Sequence, residues 1–205
     1  MPAERGVLGL ARGGALTLPD RVRVPAAALA DLRARTWARL SRAAFLHGEF
    51  VLSSGRTSPY YIDKYQFETH PDLLRDIARL LTQALPPETT RLVGPALGGV
   101  PLATAVALET GIPFVIVRPE AKAHGTARTI EGTLAPGDRA VVVEDVVTTG
   151  GQAVRAAREV EAAGGQVLLV LAVVDRHEGG REGIEGAGYR FEALYDLREW
   201  PVPHG

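Results

Sequence analysis

Apolar positions along the chain switch between two periods. From Ala26 to Leu46, the side chains of Leu29, Leu32, Trp37, Leu40 and Phe45 fall close to one helical stripe. Phe50-Val51-Leu52 begins a short strand. Ser53 to Asp63 then gathers small hydroxylated residues, a glycine and Pro59, which holds Ser58 extended, before Tyr60 and Tyr61 open an extended run. That stretch fits a β-hairpin with half-buried aromatics and, equally, a rim whose backbone and ring faces hold a flat ligand. Pro71 to Leu85, apolar at 73, 74, 77, 80, 81 and 85, predicts an amphipathic helix stopped by Pro86-Pro87. Beyond it come short continuous apolar runs, Arg91–Pro95, Ile112–Arg118, Arg139–Val147 and Val167–Val174, which read as strands buried on both faces. Helical stretches at Gly98–Ala107 and Ala153–Ala163 separate some of them, and Tyr189 to Leu194 predicts a last, edge-like strand. Residues 1–25 are rich in Gly, Pro and Arg with no sustained period, as expected of a poorly ordered arm.

Strands alternating with helices from 71 to 174 predict an α/β fold: a doubly wound, mostly parallel central sheet flanked by helices, with right-handed crossovers. Ligands of such sheets bind outside the carboxyl ends of the strands. Gly94–Gly99, Arg118–His124, Glu144–Gln152 and Asp175–Arg176 all fall at those ends and are expected to converge on one crevice. A chain of 205 residues, 46% hydrophobic, suffices for one substantial core. Lys+Arg of 23 against Asp+Glu of 24 gives no electrostatic case for nucleic acid. Cysteine is absent, which removes disulfides and thiolate chemistry, and no apolar run reaches a membrane span. The opening residues lack a signal-peptide order, so a cytoplasmic location is expected.

The densest chemistry lies at 139–152. A buried valine strand runs into Glu144 and Asp145, then Val146, Val147, Thr148, Thr149, Gly150, Gly151 and Gln152, and restarts as a helix. A helix entered through such a turn presents unpaired N–H groups and a positive dipole end, which suits a phosphate. The two acids would repel that phosphate, so they face a hydroxylated or cationic group. One phosphate plus one polyol describes a sugar phosphate. A second strand–glycine–helix turn at Gly98–Gly99 fits either an anion site or close helix–strand packing. Residues 119–132 form a polar, glycine-flanked stretch carrying Lys122, His124 and Arg128, which reads as a flap able to close over an anionic substrate or as a solvated hairpin.

Residues 141–151 resemble the phosphoribosyl-pyrophosphate (PRPP) signature of type I phosphoribosyltransferases. Gly48 to Tyr61, Arg118 with Ala121–Gly125, and Asp175-Arg176 followed by Glu-Gly-Gly-Arg resemble, more narrowly, the orotate phosphoribosyltransferase family. The resemblance implies that family's fold, with a hood at roughly 26–68 plus the C-terminal segment, a core at roughly 69–176, and a flexible flap. It implies transfer of the phosphoribosyl group from PRPP to orotate, giving orotidine 5′-monophosphate and pyrophosphate in pyrimidine synthesis, with Mg²⁺ held mainly by substrate and no direct protein ligand. Val146 to Gln152 would cradle the 5′-phosphate. Glu144 and Asp145 would hold the ribose hydroxyls and stabilise charge at the anomeric carbon, with Lys122 and His124 as further catalytic groups. Arg118, Lys122 and His124 would meet the pyrophosphate, the flap serving a neighbouring subunit in a homodimer. Thr148, Arg176 and the backbone at Tyr60 and Tyr61 would hold orotate. Many members carry lysine where this chain has Ser53, Gly98 and Pro119, and the amides of Gly98-Gly99 are expected to stand in for one missing charge. Two alternatives use the same signature: a purine or xanthine phosphoribosyltransferase, and a non-catalytic PRPP-sensing regulator.

Overall fold

A computed structural model of the chain describes residues 24–51, 57–119 and 129–202. The arm expected at 1–25 and the flap residues Lys122, His124 and Arg128 lie wholly or largely outside these. The sheet's centre is β6 (Arg139–Val147), whose residues from Ala140 to Asp145 are all buried. It pairs in parallel with β3 (Arg91–Pro95) on one side and β7 (Gln166–Asp175) on the other. β4 (Phe114–Val117) extends the β3 side, followed by the antiparallel two-residue β5 (Ile130–Glu131), and β8 (Phe191–Asp196) closes the β7 side. The order β5-β4-β3-β6-β7-β8 is five parallel strands with one antiparallel edge. Connections leave β3 in one direction and β6 in the other, so the switch point, where a crevice opens, lies between these two strands.

Alternate valines of β6 feed two cores. Val141 and Val143 pack with α3 (Pro71–Ala84) and α4 (Gly99–Thr110), while Ala140 and Val142 pack with α5 (Gly151–Ala162) and with Ile184 of α6 (Gly180–Gly186). This is the doubly wound arrangement expected from continuous apolar strands.

The hood is built from α1 (Ala26–Ala44), an antiparallel hairpin of β1 (Phe45–Val51) and β2 (Thr57–Ile62), and the one-turn α2 (Tyr65–Glu68). The hairpin expected within 50–63 is formed. β1 starts at Phe45, not Phe50, and α1 stops two residues before the expected Leu46. The reason is packing: Phe45 pairs with Ile62 and lodges its ring between Trp37 and Tyr60, a place only an extended backbone reaches. The C-terminal segment locks the hood to the core. Trp37, Tyr195 and Trp200 form a cluster with centroids 5.0–5.9 Å apart, and Tyr195 donates a 2.9 Å hydrogen bond to the Arg33 carbonyl. The short helices α2 and α6 were not expected, because neither is long enough to show a period. No helix among the described residues is long and apolar enough to cross a membrane.

Candidate active site

The turn from β6 into α5 opens a crevice of about 150 Å³ lined by Lys64 and by residues 144–153. Gly150 caps α5 with φ +76°, and a Cβ there would lie 2.7 Å from Ile184 and 2.8 Å from the Gly180 carbonyl. Glycine is required on both conformational and steric grounds. No side chain caps α5, so its first N–H groups face the crevice, flanked by the exposed Thr148, Thr149, Gly151 and Gln152. The arrangement is an anion cradle at the positive end of a twelve-residue helix.

Glu144 and Asp145 are both buried at the crevice wall. As consecutive strand residues they leave on opposite faces of the sheet. Asp145 meets Lys64, at the N-cap of α2, with Nζ to Oδ2 at 2.7 Å. Burial pulls the Lys64 ammonium down, but the charge and hydrogen bond of Asp145 outweigh it and hold the group above its ordinary value. Glu144 is held well above the ordinary carboxyl range, first by burial and then by the negative charge of Asp145, and its Oε1 has no hydrogen-bond partner in the protein. A neutral Glu144 both donates and accepts, as a ribose hydroxyl requires.

Val147 of β6 stands in register with Asp175 of β7, so Thr148 and Arg176 emerge side by side. The Arg176 N–H donates to the Val147 carbonyl at 3.0 Å. The Arg176 guanidinium is largely buried, pairs with Glu178 at 3.0 Å and lies 5.0 Å over the Tyr60 ring, with Nε unpaired. Arg176 and Tyr60 thus come together where hood meets core. Tyr61 does not join them: its neighbours alternate along β2, and its ring stacks on Phe50, half exposed. The orotate contact implied for the Tyr60-Tyr61 pair is through its backbone, which the ring's position does not alter.

Arg118 stands at the end of β4, beside the flap. Its guanidinium pairs with Glu131 at 3.5 Å, and it does not line the crevice. Arg155 of α5 holds the same corner by donating to the carbonyls of Arg118 and Pro119. Gly98 and Gly99 stand in close packing. A Cβ on Gly98 would sit 1.5 Å from Asp145 Oδ2 and 2.7 Å from Glu68 Oε1, and one on Gly99 would sit 2.5 Å from the Val143 carbonyl. A cation does stand beside Asp145 here, the Lys64 ammonium. Sequence reasoning passed over Lys64 and Glu68. The only local signal was their spacing of four, which puts both on one side of a helical turn. Lys122 and His124 lie outside the described residues.

Residues 64–192 match the model of the phosphoribosyl transferase domain. An orotate phosphoribosyltransferase of Halobacterium salinarum is 52% identical over 72% of this chain and 83% of that protein, and one of Pyrococcus furiosus is 46% identical over 74% and 85%. A solved orotate phosphoribosyltransferase of Mycobacterium tuberculosis superposes with a TM-score of 0.73 at 38% identity, covering 83% of this chain and 99% of that one. The same enzyme solved in complex with PRPP superposes with a TM-score of 0.69 at 33% identity, covering 82% and 98%. Cradle, buried acids and matched relatives agree, and this chain belongs to the phosphoribosyltransferase family, on its orotate phosphoribosyltransferase branch.

Proposed function

We infer that the protein transfers the phosphoribosyl group of PRPP to orotate, releasing pyrophosphate and orotidine 5′-monophosphate in pyrimidine synthesis. The observation that carries this reading is the β6–β7 register, which sets a phosphate cradle and an arginine over an aromatic ring at adjacent strand ends. Thr148 to Gln152 take the 5′-phosphate. Asp145 and Glu144 face the ribose hydroxyls, and the Asp145 carboxylate stabilises positive charge as the anomeric bond loosens. Arg176, stacked on Tyr60, offers its free Nε to the acidic edge of orotate. Lys64 faces the same crevice and can meet substrate oxygens, with Lys122 and His124 of the flap closing on the pyrophosphate.

Mg²⁺ fits this site as a passenger of the substrate, where it neutralises pyrophosphate charge. Among the described residues, Asp145 is engaged by Lys64 and burial disfavours the charged form of Glu144, so the crevice wall leaves most of the ion's coordination to the substrate. Asp175, His177 and Asp196 do cluster, but Arg198 and Arg181 already face these acids. A homodimer is supported by an apolar stripe leading from the turn before α4 along that helix, Leu97, Pro101 and Leu108, with Leu97 64% and Leu108 84% exposed. PRPP is too highly charged to cross a membrane, which favours the cytoplasm as the place where enzyme and substrate meet.

The test is to incubate the protein with PRPP, Mg²⁺ and each base in turn, following base loss and pyrophosphate release. Orotate consumption in step with pyrophosphate is expected. Turnover of hypoxanthine or xanthine with orotate untouched would overturn the assignment of the base, and PRPP binding without any turnover would favour a regulator.

A further inference from the structure

Glu68 is a buried acid for which the transfer chemistry, as described, has no use. It ends α2, one turn after Lys64, and is only 3% exposed. Its Oε1 has no hydrogen-bond donor in the protein. The oxygen nevertheless sits beside Asp145: both carboxyl groups crowd the point where a Cβ of residue 98 would stand, Asp145 Oδ2 at 1.5 Å and Glu68 Oε1 at 2.7 Å. Two ionised carboxylates repel in so small a space, and Lys64 places its 2.7 Å hydrogen bond on Asp145 Oδ2. A proton on Glu68 resolves the arrangement.

We propose that Glu68 is a positioning residue for the transfer reaction: as a neutral acid it donates a hydrogen bond to Asp145 and, with Lys64, fixes the carboxylate that faces the ribose. The proposal rests on the function inferred above. In this chain the absence of a side chain at Gly98 leaves room for that arrangement, since a Cβ there would meet the Asp145 carboxylate as it is placed. Burial first, and then the charge and hydrogen bond of Asp145, push Glu68 up to about 8, against the pull of Lys64. Asp63 adds to the rise, and Glu144 is the other acid close to Asp145 on β6. α1 and α3 also pack on α2, and the ion pair that joins them, Arg39 with Asp76 at 3.0 Å, carries no net charge. Above the Glu68 transition, two adjacent carboxylates repel and Asp145 loses its geometry.

The experiment compares pH–rate profiles of the wild type, Glu68→Gln and Glu68→Ala. The amide of Glu68→Gln keeps the donor and cannot ionise. The wild-type kcat should fall about tenfold per pH unit above the transition. Glu68→Gln should stay within about threefold of wild type at pH 7 and lack that limb, whereas Glu68→Ala should lose about tenfold in kcat with little change in KM for PRPP. An unchanged alkaline limb in Glu68→Gln overturns the proposal. A carboxyl-carbon NMR titration of the glutamate-labelled, substrate-free protein reads the same group independently. The resonance missing from Glu68→Gln should titrate near 8, and titration in the ordinary carboxyl range overturns the proposal even if every variant folds and turns over. Absence of orotate turnover in the wild type sinks the inferred function alone, and the NMR titration still decides whether Glu68 holds the proton.

Discussion

Asp145 is the residue on which the chemistry converges, and its surroundings make specific demands. Asp145→Asn keeps the shape but removes the charge that stabilises the anomeric carbon. It should lower kcat by roughly 100-fold while PRPP affinity, measured by calorimetry, changes by only about threefold. Gly98→Ala should lower both kcat and the melting temperature, because a Cβ at 1.5 Å forces the buried, ion-paired Asp145 carboxylate to move, and a misplacement of about 1 Å can cost roughly 100-fold in rate. Glu68 also ties stability to pH. Its ordinary value of 4.5 applies to the unfolded chain and its folded value is about 8, so between these the native state holds a proton that unfolding releases. Stability therefore falls as pH rises through that window. Thermal melts should show Glu68→Gln gaining several degrees over wild type between pH 5 and pH 8; a constant difference would contradict the linkage. At this scale the sequence is legible where residue types are contiguous, as in Glu144 to Gln152. It is not legible for Lys64 and Glu68, which lie about eighty residues from their partner and meet it only after the hood folds onto the sheet.

Elements divide along similar lines. Strands buried on both faces announce themselves as apolar runs, and β3, β4, β6 and β7 lie where those runs predicted. The hairpin was one of two equal readings, because alternation in Tyr60-Tyr61 does not reveal which face meets a partner. The structure separates them: Tyr60 lies under Arg176 and Tyr61 against Phe50. The glycine turn before α4 resembled an anion site in sequence because close packing and anion binding call for the same residue. The contacts of Gly98 and Gly99 show the close packing. The stripe on α4 makes the element-scale prediction. Leu108→Glu, at a position 84% exposed, should leave the fold intact and shift the protein from dimer to monomer in sedimentation velocity. The proposed dimer, with a flap serving the neighbouring site, requires activity to fall together with it. A dimeric Leu108→Glu variant would place the interface elsewhere.

Taken whole, the molecule puts a positive helix end, a buried acid pair and a stacked arginine along one rim of a parallel sheet, at the point where its connections diverge. The hood contributes Lys64 and Tyr60 to that rim, so binding one ligand engages both parts of the fold. The product, orotidine 5′-monophosphate, carries phosphate, ribose and base together, and its binding reports directly on whether these parts form one site. Its affinity should be measured by calorimetry for wild type, Gly150→Ala at the phosphate end and Arg176→Met at the base end. Each substitution is expected to weaken binding by at least about tenfold. Ribose 5-phosphate, which lacks the base, should lose affinity to Gly150→Ala but not to Arg176→Met. Wild-type affinity for orotidine 5′-monophosphate in Arg176→Met would contradict the account.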